Sequence, residues 1–365
     1  MRRLRSCLAA LLAGAGICSA AHGATLVMGA YPSSLLVFDE SKGAVVDRIP
    51  LESGLPTSLR LSTDKKRIYV TTITHSGIEV IDSATRKVIT AFSMNTPTTH
   101  YRFNGGVPDP TGRYFYTVEE QFDKKLDHYE IGKPKYAVID LEKKAIVKTY
   151  DIASEDENGN RGYRNLMALS PDGKYLYQFR DKVVILDTSD FKVVDRMELS
   201  TPEEAGIGNV NLGGPLESIT QPGQIVSLFN ASDPYIHNRV FGIARFDLAT
   251  RQMDFTPIGP SPDTMAGLQV SPDGKTAYTV VSTGGNLGNK RCEFWRFDLA
   301  TKSVEQKAEF SCKTRFTFGM SGDGRKLYIY GASFQIEVYD AQTLKYEQTW
   351  DLNNDITGAG MVVLR

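Results

Sequence analysis

The sequence predicts an all-β protein, a seven-bladed β-propeller whose first blade is closed by the C-terminal strand. Three observations predict it. A unit of about fifty residues recurs along nearly the whole chain, and self-similarity at that period belongs to repeat architectures. In each unit an apolar run ends on an aspartate that opens a turn, at Asp39, Asp82, Asp140, Asp187, Asp247, Asp298 and Asp340, seven in all. A second turn recurs as Ser62-Thr63-Asp64-Lys65, Asp109-Pro110-Thr111-Gly112, Ser170-Pro171-Asp172-Gly173, Ser271-Pro272-Asp273-Gly274 and Ser321-Gly322-Asp323-Gly324, with Gln221-Pro222-Gly223 as a fainter echo. Proline fixes φ, aspartate bonds the backbone and glycine accepts φ > 0, so this turn has a mechanism. Radial repetition of four-stranded units leaves only short, protected sheet edges.

Taken in order, residues 1–23 have the marks of a signal peptide. Arg2, Arg3 and Arg5 precede an apolar stretch over 8–17 and the small residues Ser19, Ala20 and Ala21. The apolar stretch is too short to span a membrane as a helix. A retained anchor and lipid attachment at Cys18 are the alternatives, the second disfavoured by Ile17, where a small residue is wanted. Residues 24–365 then form the propeller. Loss of the three arginines moves the balance of 42 cationic and 43 anionic residues to about −4, a mildly acidic chain without the basic stripe of a nucleic-acid binder. The expected compartment is the periplasm.

The next strands cover residues 26–30, 35–39 and 44–51. That is three strands where a blade needs four, and the missing inner strand is expected at residues 357–364, whose small and apolar residues fit beside a crowded axis. Inner strands elsewhere carry Gly105, Gly106, Ala168, Gly267 and Gly319 for the same reason. Of the four cysteines, Cys7 and Cys18 lie in the leader, while Cys292 begins a third strand and Cys312 follows a fourth. Exported to an oxidising compartment, these two are expected to form a disulfide across one hairpin, with two separate thiols as the alternative.

Insertions fall unevenly. The first-to-second and third-to-fourth turns of each blade are tight, whereas the second-to-third loops and the interblade connections are long, at residues 95–100, 119–134, 153–162, 200–214, 230–238 and 282–290. These all open on one face. Elaboration on one side of a rigid scaffold marks an interaction surface, set against loops that are merely tolerated. On the same face, at the start of the inner strands, stand Tyr101-Arg102, Tyr163-Arg164 and Thr314-Arg315, with His100 beside the first pair. Three guanidiniums at the channel mouth either bind an anionic group, through the planar fork that matches carboxylate and phosphate, or pair with acidic residues of neighbouring blades.

No Cys-x-x-Cys-His haem attachment signature, Gly-x-Ser-x-Gly elbow, P-loop or His-Glu-x-x-His occurs in the sequence. A calcium-loop spacing at Asp156, Asn158 and Asn160 fails at Arg161 and Met167. Neither catalytic nor metal-binding residues are therefore assigned. A self-sufficient hydrolase or lactonase is disfavoured, because it needs converging carboxylates or histidines where the sequence offers Arg and Tyr.

The runs Ile68-Tyr69-Val70-Thr71-Thr72 and Ile78-Glu79-Val80-Ile81-Asp82 resemble the YVTN-type propellers. The segment Leu126-Asp127-His128-Tyr129-Glu130-Ile131 leading into Ala137-Val138-Ile139-Asp140, the start Leu35-Leu36-Val37-Phe38-Asp39 and the end Ile336-Glu337-Val338-Tyr339-Asp340 resemble the β-subunit of quinohemoprotein amine dehydrogenase. A more distant resemblance is to the methylamine dehydrogenase heavy chain. The resemblance implies a periplasmic electron-transfer complex in which this chain holds a small subunit bearing a tryptophan-derived quinone, beside a dihaem cytochrome subunit with c-type haem. The cofactors belong to those partners, and the propeller's elaborated face shapes the amine pocket. A stand-alone periplasmic propeller that binds a protein or ligand is the alternative.

Overall fold

A computed structural model describes residues 23–156, 166–179, 182–200, 208, 210–212, 223–232, 239–284, 289–313, 316–331 and 333–364. Seven antiparallel sheets account for every strand among them, and a single 3-10 turn, Ser154–Asp156, is the one helical element described. Six sheets have four strands in up-and-down order, as Pro56–Leu61, Arg67–Thr72, Gly77–Asp82 and Val88–Ser93 do in blade 2. Blade 1 is assembled from both ends of the chain. Its inner strand is Ile356–Leu364, which pairs antiparallel with Thr25–Ala30, followed outward by Ser34–Asp39 and Ala44–Pro50.

The blades close into a ring through apolar faces. Seven buried clusters each join two successive blades, from Val27, Leu35 and Val37 of blade 1 against Ile68, Val70 and Ile81 of blade 2, round to Tyr328, Ile336 and Val338 of blade 7 against Leu26, Leu36 and Phe38 of blade 1. Strand alternation explains this division: even and odd positions of one strand serve opposite neighbours. Ile78 and Val80 therefore face blade 3 while Ile81, across a bulge, faces blade 1.

Both recurring turns are closed by side-chain bonds to their aspartates. All seven closing aspartates accept the backbone N–H two residues on, as in Ala84 N to Asp82 Oδ1 at 3.1 Å and Ala300 N to Asp298 Oδ1 at 2.8 Å. The fourth residue after each aspartate is left-handed, with φ between 55° and 61° at Gly43, Arg86, Lys144, Phe191, Arg251, Lys302 and Leu344. Only one of the seven is glycine, so an aspartate-anchored turn imposes this conformation against the steric preference of the other six. In the other turn Ser62, Ser170, Ser271 and Ser321 each donate their hydroxyl to the aspartate two residues on, at 2.5–2.7 Å.

The pairing of Cys292 and Cys312 is as expected. They form a disulfide with Cα atoms 5.3 Å apart, tying the third strand of blade 6, Arg291–Asp298, to the segment after its fourth, Ser303–Phe310.

Candidate functional site

Blade 3 departs from the simple pattern, and it builds the elaborated face. Its second strand, Tyr114–Lys124, has 11 residues and runs well past the blade body. Tyr114 to Glu119 pair with Lys135–Asp140, and Phe122 to Lys124 then pair with Tyr129–Ile131. The stretch 119–134, expected as a loop, is thus a β-hairpin rising from the sheet. On its other edge Thr99–Phe103 pairs with Glu119 to Asp123, and only after a break does Val107–Pro108 resume the inner-strand position. Gly105 and Gly106 make that break, both at positive φ, and a Cβ on Gly106 would lie 2.3 Å from the Phe115 ring. The hydroxyl of Thr117 bonds the Gly105 carbonyl at 2.6 Å, which fixes the detour.

His100, Tyr101 and Arg102 all lie on this extension. His100 is opposite Phe122 and exposed, Tyr101 opposite Gln121, and Arg102 opposite Glu120. Neighbouring strand residues point to opposite sides. Tyr101 accordingly stacks with Phe103, ring centroids 6.5 Å apart, on one face, while Arg102 shares the other face with His100. Tyr163, Arg164 and Arg315 lie outside the described residues, so the convergence of three arginines is a matter for experiment.

Under the extension sits Glu119, 4% exposed, whose Oε2 is buried without a hydrogen-bond partner. Burial pushes its carboxyl up to about 7, opposed by Lys135 and reinforced by Glu120. The Tyr101 phenol is raised too, by burial first and then by the charges of Glu119 and Asp123.

The second-to-third loops carry a further feature. Tyr31 in blade 1 (61% exposed), Ile73 in blade 2, Leu126, Tyr129 and Ile131 in blade 3 and Phe334 in blade 7 (55% exposed) are large apolar side chains open to solvent. All six belong to second-to-third connections, hence to the elaborated face, and blades 7, 1, 2 and 3 are consecutive in the ring. The remaining exposed large apolar residues, such as Val88, Val147 and Tyr346, are on outer strands at the rim.

Sequence reasoning overlooked Arg60. It lies on the inner strand of blade 2, between Leu59 and Leu61, which pack toward blade 1. Its Nη2 donates to the Met167 carbonyl at 2.8 Å, on the inner strand Leu166–Leu169 of blade 4, passing the shortened inner strand of blade 3. A lone arginine alternating with leucines on an inner strand was the available signal.

Fold and loop face together define a single seven-bladed propeller with one elaborated side. No family model matches the chain. A seven-bladed beta-propeller protein of Mycobacterium tuberculosis, Rv1057, is 24% identical over 188 residues, 50% of this chain and 42% of that protein, so the match spans less than half of the relative. Among solved structures, a functionally unknown protein from Desulfotomaculum acetoxidans superimposes over 93% of this chain and 98% of its own, with a TM-score of 0.58 and 12% identity. Apo AztD from Citrobacter koseri covers 94% and 98% with a TM-score of 0.54, also at 12% identity. At such identities the likeness establishes the fold.

Proposed function

We propose that this chain is an exported propeller that binds a protein partner on its loop-bearing face and positions it within a periplasmic complex. The observation that carries the reading is the arc of exposed Tyr31, Ile73, Leu126, Tyr129, Ile131 and Phe334 across four consecutive blades. Apolar side chains gathered on one face lose free energy to water unless a partner covers them, and such patches mark interaction sites. The disulfide and the leader-like first 23 residues support export to an oxidising compartment. The sequence resemblance favours an amine-oxidising assembly as the particular complex. In it the face seats a small quinone-bearing subunit and walls the amine pocket, with a dihaem cytochrome alongside.

The test is native mass and visible absorbance of the tagged chain purified gently from its own host. Co-purification with a haem protein and a small quinone-bearing chain in fixed ratio supports the amine dehydrogenase assembly. A colourless species at the chain's own mass overturns it and leaves the stand-alone binding propeller. Leu126→Lys with Ile131→Lys and Phe334→Lys should release a bound partner while the melting temperature stays put, since none of the three is part of the core.

A further inference from the structure

The inner strands around the axis carry a one-sided charge. Pro56–Leu61, Thr99–Phe103, Val107–Pro108, Leu166–Leu169, Asn211–Leu212, Thr264–Val270, Thr317–Met320 and Ile356–Leu364 contain no aspartate or glutamate, yet they include two arginines, Arg102 on the blade 3 extension and Arg60 in the body of blade 2. Register fixes the layer in which Arg60 stands. It pairs with Tyr69, as Val107 does with Tyr116, Ala168 with Tyr177, Gln269 with Tyr278 and Gly319 with Tyr328, and Val362 takes the same place opposite Val27. Among the six blades described at this level, one side chain is charged and the rest are small, apolar or a neutral amide.

A guanidinium has five N–H donors. Arg60 uses one, on the Met167 carbonyl. It has no ion pair within the described residues, and burial lowers its pKa with no nearby carboxylate to oppose the shift. The side chain is nonetheless part-exposed, opening to the channel rather than sealed in a core. A part-exposed guanidinium in neutral surroundings is open to an anion that can accept from its free donors. The carbonyl bond aims the fork but, among the described residues, leaves four donors and the charge without a protein partner.

We propose that Arg60 anchors an oxyanion site in the central channel, receiving the carboxylate or phosphate group of a small ligand. The site lies two residues before the Ser62 turn, toward the plain face, at the other end of the inner strand from the elaborated loops. It does not depend on the docking face. A planar fork with parallel donors suits either oxyanion, and among the described residues the neutral ring of Val107, Ala168, Gln269, Gly319 and Val362 offers the charge no counterion.

The experiment is thermal unfolding and calorimetric titration of the full chain at constant ionic strength with inorganic phosphate, with succinate and with chloride, for wild type, Arg60→Met and Arg60→Gln. Gln retains a donor for the Met167 carbonyl and lacks the charge. A saturable rise in melting temperature with phosphate or succinate, absent with chloride and weakened about tenfold or more in both variants, is the expected result; the ion that acts identifies the ligand group. With neither oxyanion present, Arg60→Gln should melt close to wild type, because the charge it loses is part-exposed and a donor to the Met167 carbonyl is kept. The proposal fails if neither oxyanion outperforms chloride on wild type, or if the variants respond as wild type does. It fails equally if Arg60→Met melts lower while Arg60→Gln matches wild type in stability and oxyanion response, which assigns Arg60 to bonding Met167 alone.

Discussion

The Tyr328 phenol donates to Glu40 Oε1 at 2.8 Å, and the other carboxylate oxygen accepts the backbone N–H of Ala24 at 2.9 Å. One side chain of blade 7 is thereby joined, through a carboxylate, to the residue that leads into the blade 1 strand Thr25–Ala30. This bond reinforces the apolar seam between the two blades, where Trp350 also packs on Phe38 with centroids 4.7 Å apart. Tyr328→Phe leaves half of a partly buried carboxylate unanswered, and should cost about 1–2 kcal/mol in denaturant unfolding. Deleting residues 356–365 removes the inner strand of blade 1 and bares the edge of Thr25–Ala30. The truncated chain should self-associate, read as a concentration-dependent mass in solution.

Loss of the disulfide should matter more than loss of any single hydrogen bond. Cys292 and Cys312 close a loop of sequence separation 20, for which the chain-entropy effect is about 3 kcal/mol. Cys292→Ser with Cys312→Ser should lower stability by that order, and reducing agent should shift the wild type alone to the same midpoint.

Lys65 offers a gain. It has φ of 60° at the turn position that blades 3, 4, 6 and 7 fill with Gly112, Gly173, Gly274 and Gly324. Its side chain is exposed. Lys65→Gly relieves a left-handed non-glycine residue at some cost in unfolded-chain entropy, so a net stabilisation of about 0.5–1 kcal/mol is expected in chemical unfolding.

Glu119 makes stability depend on pH. Its carboxyl is raised from an ordinary 4.5 to about 7 by burial, so the folded chain binds the proton more tightly than the unfolded one. Its penalty is full above pH 7 and fades as the pH falls toward 4.5. Glu119→Gln should therefore stabilise the protein on the order of 2–3 kcal/mol at pH 8 and have little effect at pH 4.5. Equal gains at both pH values would show that the charge is not the cause.

Much of this fold was legible because it repeats. Asp39 through Asp340 each close an apolar strand on a turn, and the missing inner strand of blade 1 was countable against six complete units. Blade 3 was harder. Glu120, Gln121, Phe122 and Asp123 rise beyond the body of the sheet, where no core imposes alternating polarity, so a continuing strand has the composition of a loop. The apolar arc was hidden for a related reason: Tyr31, Ile73 and Phe334 share the second-to-third connection but are far apart in sequence, and only closure of the ring makes blades 7, 1 and 2 neighbours. Arg60 is one residue in a strand of ordinary composition. Its meaning comes from what its layer lacks, which register alone reveals.

The shared first blade also sets a timetable. The nine residues of Ile356–Leu364 are synthesised later than their partner Thr25–Ala30 by the whole of residues 31–355. At typical elongation rates of about 5–20 residues per second, the early strand waits roughly 15–70 s for its neighbour. During that interval its open edge is available to any other extended chain, so a cell making this protein has reason to keep the nascent polypeptide covered until the ring can shut.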